Sequence, residues 1–132
     1  YELNREGLTI IVSTPYMAEA ELCTRKMFIN NGKILDVGTS AELLSRFDNK
    51  ILTLELDERR ATEWILKCVH VHDANLFGSS YHIVVDDVVA AAREIKEELV
   101  LRYTEAPQLY EITPSLEDLF VAFSGGTPSC PR

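Results

Sequence analysis

The sequence predicts an α+β fold with two parts and a terminal helix. A continuous apolar run at Leu8–Val12 is typical of a strand covered on both faces, as in a parallel α/β sheet. From residue 51 onward apolar and polar residues alternate, which is typical of an antiparallel sheet with one solvated face. Near the end of the chain, an apolar stripe at helical spacing predicts the terminal helix. We therefore expect one unit over 1–47, a second over 51–123 and a disordered tail over 124–132.

Composition limits the classes of function. The chain has 132 residues, of which 46% are hydrophobic, so it can bury a core. With 13 basic and 21 acidic residues its net charge is -8, and such a surface repels phosphate backbones, so we expect no nucleic-acid partner. No apolar run approaches the roughly 20 residues of a membrane span, so we expect no direct membrane insertion. The chain opens on Tyr1 within "YELNREG", which reads as a helix end and predicts a fragment of something longer.

Local signals place the elements of the first unit. Thr14 can cap a helix with Pro15 at its first position, where a missing N–H costs nothing. Asn31-Gly32 predicts a two-residue hairpin turn, because both residues tolerate positive φ. Thr39, with a glutamate three residues later, predicts a capping box for a helix over 40–46.

The second unit reads as two strand–helix segments around a hairpin. Asp57 is expected to cap the first helix, and Asp86 or Asp87 the second. The third strand spans Tyr81–Val85 and a weaker fourth lies within Gln108–Ile112, whereas "NLFGSS" predicts a loop. The apolar residues of the first two strands are Leu52, Leu54, Leu56, Val69 and Val71. Those of the two helices are Ala61, Trp64, Ile65 and Cys68, then Val88, Ala92, Ile95 and Leu99. The order βαββαβ is the ferredoxin-like split pattern.

The terminal helix has its own start signal. Thr113 is expected to cap it and Pro114 to open it. Glu117 and Asp118 fall in its first turn, where the helix dipole favours acids, and are expected to point away from the apolar stripe. So short a helix needs burial, which predicts a clamp between the two units. The stripe consists of Leu116, Leu119, Phe120 and Phe123.

Two stretches resemble a known family. "EGLTIIVSTPYMAEAELCTRKMFINNGKILDVGTSAELL" resembles the end of the nucleotide-binding domain of an ABC transporter, and "PSLEDLFVAF" resembles the C-terminal extension of many ABC-2-type ATP-binding subunits. The resemblance implies the C-terminal remnant of an α/β nucleotide-binding domain, followed by an accessory domain. In the complete protein it implies ATP and Mg²⁺, a second ATP-binding subunit, membrane-spanning permease subunits and a place on the cytoplasmic face.

The chain departs from that family in two ways. It has no GxxxxGK[ST] loop and no signature motif, so we expect this chain alone to bind no ATP and to be no catalyst. The family's switch histidine, which bonds the γ-phosphate after "VST", is replaced by Pro15, beside Ser13 and Thr14. A lost donor of this kind costs on the order of 3 kcal/mol, roughly a hundredfold in rate. The structural interpretation, that Pro15 simply starts a helix, is compatible with this loss.

Other candidate sites are weaker. His70 and His72 share a strand face, but no further metal ligands are specified, so we expect two solvent-facing histidines and no metal site. Ser79-Ser80 has no base placed beside it. The three cysteines, without a CxxC motif, are expected to be reduced thiols. A small-ligand-binding or dimerising regulatory module of the split βαβ type stays the alternative to part of a transport motor.

Overall fold

The computed structural model describes residues 7–125. Within them the helices are α1 (Met17–Glu21), α2 (Ser40–Ser45), α3 (Thr62–Ile65), α4 (Val88–Arg102) and α5 (Leu116–Gly125). The strands are β1 (Lys26–Asn30), β2 (Lys33–Gly38), β3 (Lys50–Leu54), β4 (Val71–Phe77), β5 (Ser80–Val85) and β6 (Leu109–Ile112). The tail predicted over 124–132 lies outside the described residues from 126 onward, and residues 124 and 125 end α5 instead of starting a tail.

The strands form two antiparallel sheets. β1 pairs with β2, and the larger sheet has the strand order β4-β5-β3-β6. Along the chain the elements of the larger sheet follow one another as β3-α3-β4-β5-α4-β6. The predicted α+β class is confirmed at this level.

The core of the second unit lies between its sheet and two helices. Thirteen buried residues form it, and α3 and α4 cover the same face of the sheet. From α4 the residues are Ala91, Ile95 and Leu99, and from the central strands they include Leu52 and Ile83. Burial of one such Leu or Ile side chain contributes roughly 2 kcal/mol, so this unit holds most of the chain's hydrophobic stabilisation.

The opposite face of this sheet is buried at its centre, so the prediction of a solvated face is wrong there. Ile51, Thr53 and Val84 lie on this face and are buried. His82, the neighbour of Thr53 across the strands, is bonded to Asp118 of α5. Alternation in the sequence could not show this contact, because Asp118 lies 36 residues from His82 in the chain.

Helix α3 is shorter than predicted. It has four residues with Ala61 at its N-cap, so the prediction that Asp57 caps it is wrong. Tyr81 Oη donates to the carbonyl of Glu58 at 2.8 Å, and this tertiary bond satisfies a backbone group outside the helix. The predicted apolar side does pack, because Ala61, Trp64 and Ile65 are buried.

The hairpin of β4 and β5 was only partly anticipated. "NLF", predicted as loop, belongs to β4, where Leu76 pairs with Tyr81 across the hairpin. The turn is the two-residue Gly78-Ser79, with Gly78 at φ 62°. Val69, predicted in this strand, precedes it and is 79% exposed. Pairing with β5 decides the strand's extent, which its own alternation does not encode.

The apolar run Leu8–Val12 does not form the predicted covered strand. It is not part of either sheet, and its side chains are exposed, Ile11 to 92%. A strand buried on both faces needs neighbouring strands and covering layers. Within residues 7–125 both sheets are formed by other segments, so the run is not built into either of them.

Several start and turn signals are confirmed. Asn31 and Gly32 both have positive φ, 49° and 74°, as the hairpin turn requires. Thr39 accepts a hydrogen bond from the Glu42 N–H while the Glu42 side chain accepts from Thr39 N–H, so the capping box is complete. Asp87 is the N-cap of α4.

Candidate functional site

The predicted nucleotide-adjacent position lies on the surface of the first unit. Ser13 and Pro15 are exposed and Thr14 is half-buried. Thr14 Oγ1 accepts a hydrogen bond from Tyr16 N–H at 3.0 Å and donates to Glu19 Oε2 at 2.6 Å. The helix begins two residues later than predicted, with Tyr16 at the N-cap. Thr14 therefore orders the approach to α1 instead of capping it directly.

Around this position the first unit exposes apolar side chains. Besides the run at Leu8–Val12, Met27, Ile29 and Ile34 of the hairpin are about half-exposed or more. The other side of the hairpin turns Phe28 inward, where it is buried. The first unit is therefore packed on one side of its hairpin and open on the other.

Helix α5 covers the packed side. Leu116 and Leu119 are buried in one cluster with Phe28 of β1 and Leu43 of α2. The Phe120 ring meets the Phe28 ring edge to face at 5.5 Å between centroids. Phe123 also packs against this cluster. The predicted stripe and its burial against the first unit are confirmed.

The start of α5 differs from the prediction. Ser115 and Asp118, not Thr113, form the cap: Ser115 Oγ accepts from Asp118 N–H at 3.2 Å, and Asp118 Oδ2 accepts from Ser115 N–H at 2.8 Å. Ser115 Oγ also lies 2.7 Å from Asp118 Oδ2. This reciprocal arrangement is a capping box with Asp in place of Glu.

Asp118 connects α5 to the second unit: it lies away from the apolar stripe, as predicted, and it is buried there. Its side chain is only 2% exposed, and its Oδ1 lies 2.6 Å from His82 Nδ1 on β5. The His82 ring also packs on Phe77 at 4.8 Å. A buried carboxylate needs several donors, and the Ser115 groups with His82 supply them. The preference for an acid in the first turn and the tertiary bond therefore act together.

A second bond ties the far end of α5 to the hairpin. Asn30 Nδ2 donates to the carbonyl of Ser124 at 3.1 Å, which satisfies one of the terminal carbonyls of the helix. α5 is thus bonded to the first unit at one end and to the second unit at the other. This helix is the junction of the two units.

The histidine pair contacts a carboxylate instead of a metal set. His70 Nδ1 and His72 Nε2 lie 2.9 and 3.2 Å from the carboxylate oxygens of Asp86. The hydrogen bond to Asp86 raises the pKa of His70 above its usual value and lowers the pKa of Asp86. Within residues 7–125, no group of three or more His, Cys, Asp or Glu side chains is arranged to hold a metal ion.

Sequence reasoning missed the Asp118–His82 contact, although one signal for it was present. Ser115 and Asp118 stand three residues apart, the spacing of a capping box. That signal places the helix start correctly. It does not reveal His82, which lies 36 residues away in the chain.

Several known proteins are similar to this chain in sequence. Residues 38–123 match the family model described as "ATP-binding protein DrrA1-3-like, C-terminal domain". Linearmycin resistance ATP-binding protein LnrL of Bacillus subtilis (strain 168) is 29% identical over 136 residues, covering 96% of this chain and 42% of its own length. Probable multidrug ABC transporter ATP-binding protein YbhF of Escherichia coli (strain K12) is 26% identical over 131 residues, covering 96% of this chain and 22% of its own length.

The chain thus spans less than half the length of these curated relatives. No solved structure matches it. In the part of the chain that the structure describes, no helix is long and apolar enough to cross a membrane.

Proposed function

Because the chain belongs to the DrrA1-3-like family of ATP-binding proteins, as the C-terminal part of an ABC-2-type ATP-binding subunit, we propose that it serves the motor of an ABC transporter. In this proposal the complete protein couples ATP binding and hydrolysis to transport across a membrane. ATP and Mg²⁺ are bound by parts of the protein that these 132 residues do not contain, since the phosphate loop is absent from them.

We assign the two units different roles. The first unit is the edge of the nucleotide-binding domain, and its exposed run at Leu8–Val12 is the strand that completes that domain's sheet. The second unit is a ferredoxin-like accessory domain, which the element order β-α-β-β-α-β and the antiparallel sheet support. The complete subunit works with a second ATP-binding subunit and with membrane-spanning permease subunits, at the cytoplasmic face of the membrane.

Helix α5 carries the proposal, because it joins the two units. It buries Leu116 and Leu119 against the first unit and bonds Asp118 to His82 of the second. A rigid element held at both ends passes a movement of one unit to the other. α5 is therefore the element through which a movement of the nucleotide-binding domain reaches the accessory domain, and the reverse.

Pro15 sets the chemistry of the neighbouring nucleotide site in this proposal. At the position where the family has a phosphate-binding histidine, it offers neither a side-chain donor nor an N–H. Thr14, whose hydroxyl is bonded to Glu19, does not replace that donor here. Hydrolysis at this site is therefore slow compared with a site that has the histidine.

A hydrolysis assay on the complete subunit tests this role. Pro15→His should raise the ATP turnover rate by about tenfold to a hundredfold, because it restores a donor to the transferring phosphoryl group. Pro15→Ala is the matched control and should leave the rate within about twofold, since it restores only a backbone N–H. No increase with histidine would contradict the assignment of Pro15 to the switch position.

Calorimetry on the 132-residue chain is the companion test. Mg-ATP at about 1 mM should give no saturable heat, because the phosphate-binding backbone is absent. Saturable binding at micromolar concentration would contradict the proposal that the phosphates lie against another part of the protein.

A further inference from the structure

The outer side of α4 carries apolar residues where a solvated helix normally carries only polar ones. Its inner side is buried through Ala91, Ile95 and Leu99. Its outer side exposes Val89, Val100 and Leu101 to between 73% and 81%. A helix that is apolar on two sides is expected to be covered on both. Among the described residues nothing covers the outer side.

Three exposed charges lie in the middle of this side: Arg93 and Glu97, which have opposite signs, and Lys96 beside them. Arg93 and Glu97 are exposed, and neither forms an ion pair with any other described residue. They follow Val89 at steps of four residues, so the three side chains lie along one side of the helix. Along the row Val89, Arg93, Glu97 and Leu101 the outer side is thus apolar, positive, negative and apolar, with Lys96 next to this row.

This arrangement is complementary to itself. Arg93 and Glu97 stand at equal distances on either side of Ile95, as do Val89 and Leu101. When two copies of α4 lie antiparallel about a two-fold axis that passes their outer sides at the level of Ile95, each arginine faces the glutamate of the other copy. Each apolar end then meets the opposite apolar end. An isologous interface requires this kind of self-complementarity.

We propose that the outer side of α4, defined by Val89, Arg93, Glu97, Val100 and Leu101, pairs with the same surface of a second copy of this chain. This deepens the proposed partnership of two ATP-binding subunits, because it gives their accessory domains a contact of their own. It rests on the proposed function only for its setting, since the surface lies within the second unit.

The size of the surface predicts a weak contact. α4 has 15 residues and is about 22 Å long. Pairing of one such side buries on the order of 800 Å² in total, below the roughly 1,200 Å² of a standard interface. We expect a dissociation constant on the order of 100 µM for the chain alone, with the complete subunits held together by further contacts.

Charge exchange tests the pairing directly. Sedimentation equilibrium of the 132-residue chain, up to about 1 mM, should show a monomer–dimer equilibrium. Arg93→Glu or Glu97→Arg alone should weaken the dimer by about tenfold or more, because each places two like-charged pairs in the symmetric interface. The double variant Arg93→Glu with Glu97→Arg should restore it. Lys33→Glu changes net charge as much as Arg93→Glu does, but on the hairpin, and should leave dimerisation unchanged.

Three results would overturn the proposal. A chain that stays monomeric at about 1 mM does not pair through this surface at any useful strength. A dimer that Arg93→Glu alone and Glu97→Arg alone both leave unchanged forms elsewhere, and one that Ile11→Asp abolishes forms through the apolar side of the first unit. None of these results tests ATP binding or hydrolysis, which the calorimetry and the Pro15 variants measure separately. The two proposals can therefore fail independently.

Discussion

The two units of this chain differ in how much of their hydrophobic core is formed by their own residues. The second unit has thirteen buried core residues of its own, whereas the cluster of the first unit has four, and two of those come from α5. The first unit also exposes a full apolar run, with Ile11 almost entirely in solvent. We therefore expect the second unit to be stable by itself, whereas the first unit depends on a helix that follows the second unit in sequence.

The largest loss of stability should come from substitutions in α5, the helix that completes the core of the first unit. Leu119 is fully buried in one cluster with Phe28 and Leu43, so Leu119→Ala should reduce the free energy of unfolding by about 2–5 kcal/mol. Phe120→Ala should cost less than the about 3–5 kcal/mol of a fully buried ring, because Phe120 is only half-buried. Thermal denaturation and tryptic cleavage at Arg46 and Lys50 measure the loss. Unchanged cleavage with a lower melting temperature would show that α5 stabilises the core without joining the units.

The bond between α5 and the second unit should have the next largest effect. Asp118→Asn weakens three contacts of a buried carboxylate and leaves a donor facing donors, which should cost about 1–3 kcal/mol. Glu117→Gln, on the exposed side of the same turn, is the control and should change stability by less than about 0.5 kcal/mol. Chemical denaturation of both variants compares them. Equal effects would show that the contact with His82 adds nothing beyond the helix dipole.

A smaller effect is expected at the hairpin turn of the first unit. Gly32 has φ 74°, and a Cβ there meets no atom within 4 Å, so only backbone strain opposes a side chain. Gly32→Ala should cost about 1 kcal/mol, whereas Gly125→Ala at the end of α5 should be neutral. Hydrogen exchange of β1 and β2 reports the local change. A loss of equal size in β3 and β5 would mean that the two units unfold as one.

The smallest effect concerns pH at the edge of the second unit. The hydrogen bond to Asp86 raises the pKa of His70, so this pair stabilises the fold below the usual histidine value near 6.5 and stops doing so as pH rises through the raised pKa. The pKa of Asp86 is lowered, so at acid pH the contribution is lost as pH falls through that value. NMR titration should show the pKa of His70 falling in Asp86→Asn. An unchanged pKa of His70 in Asp86→Asn would show that the two side chains do not interact.

Features encoded by neighbouring residues were predictable from the sequence. The Asn31-Gly32 turn, the box of Thr39 and Glu42, and the Asp87 cap each depend on side chains within three residues of the backbone groups they serve. The apolar stripe of α5 was predictable for the same reason. In each of these signals, the residues that form the pattern also make the contact that stabilises the local structure.

Features that depend on distant contacts were not predictable. Tyr81 bonds the carbonyl of Glu58, just before the short α3 and 23 residues away in the chain. β4 extends as far as its pairing with β5, and the buried Asp118 is bonded to His82. The run at Leu8–Val12 has the pattern of a buried strand, but among the described residues it belongs to neither sheet. In each case a tertiary contact, or its absence, overrides the local pattern.

Native-state hydrogen exchange tests most directly the central claim that the first unit depends on α5. In the unmodified chain the amides of Phe28 and Ile29 should be less protected than those of Leu52 and Leu54, because the second unit has its own core. Leu119→Ala should abolish the protection of the first pair and leave the second nearly unchanged. Equal protection of the two units, with an equal loss in the variant, would contradict the account, since the chain would then be a single cooperative unit.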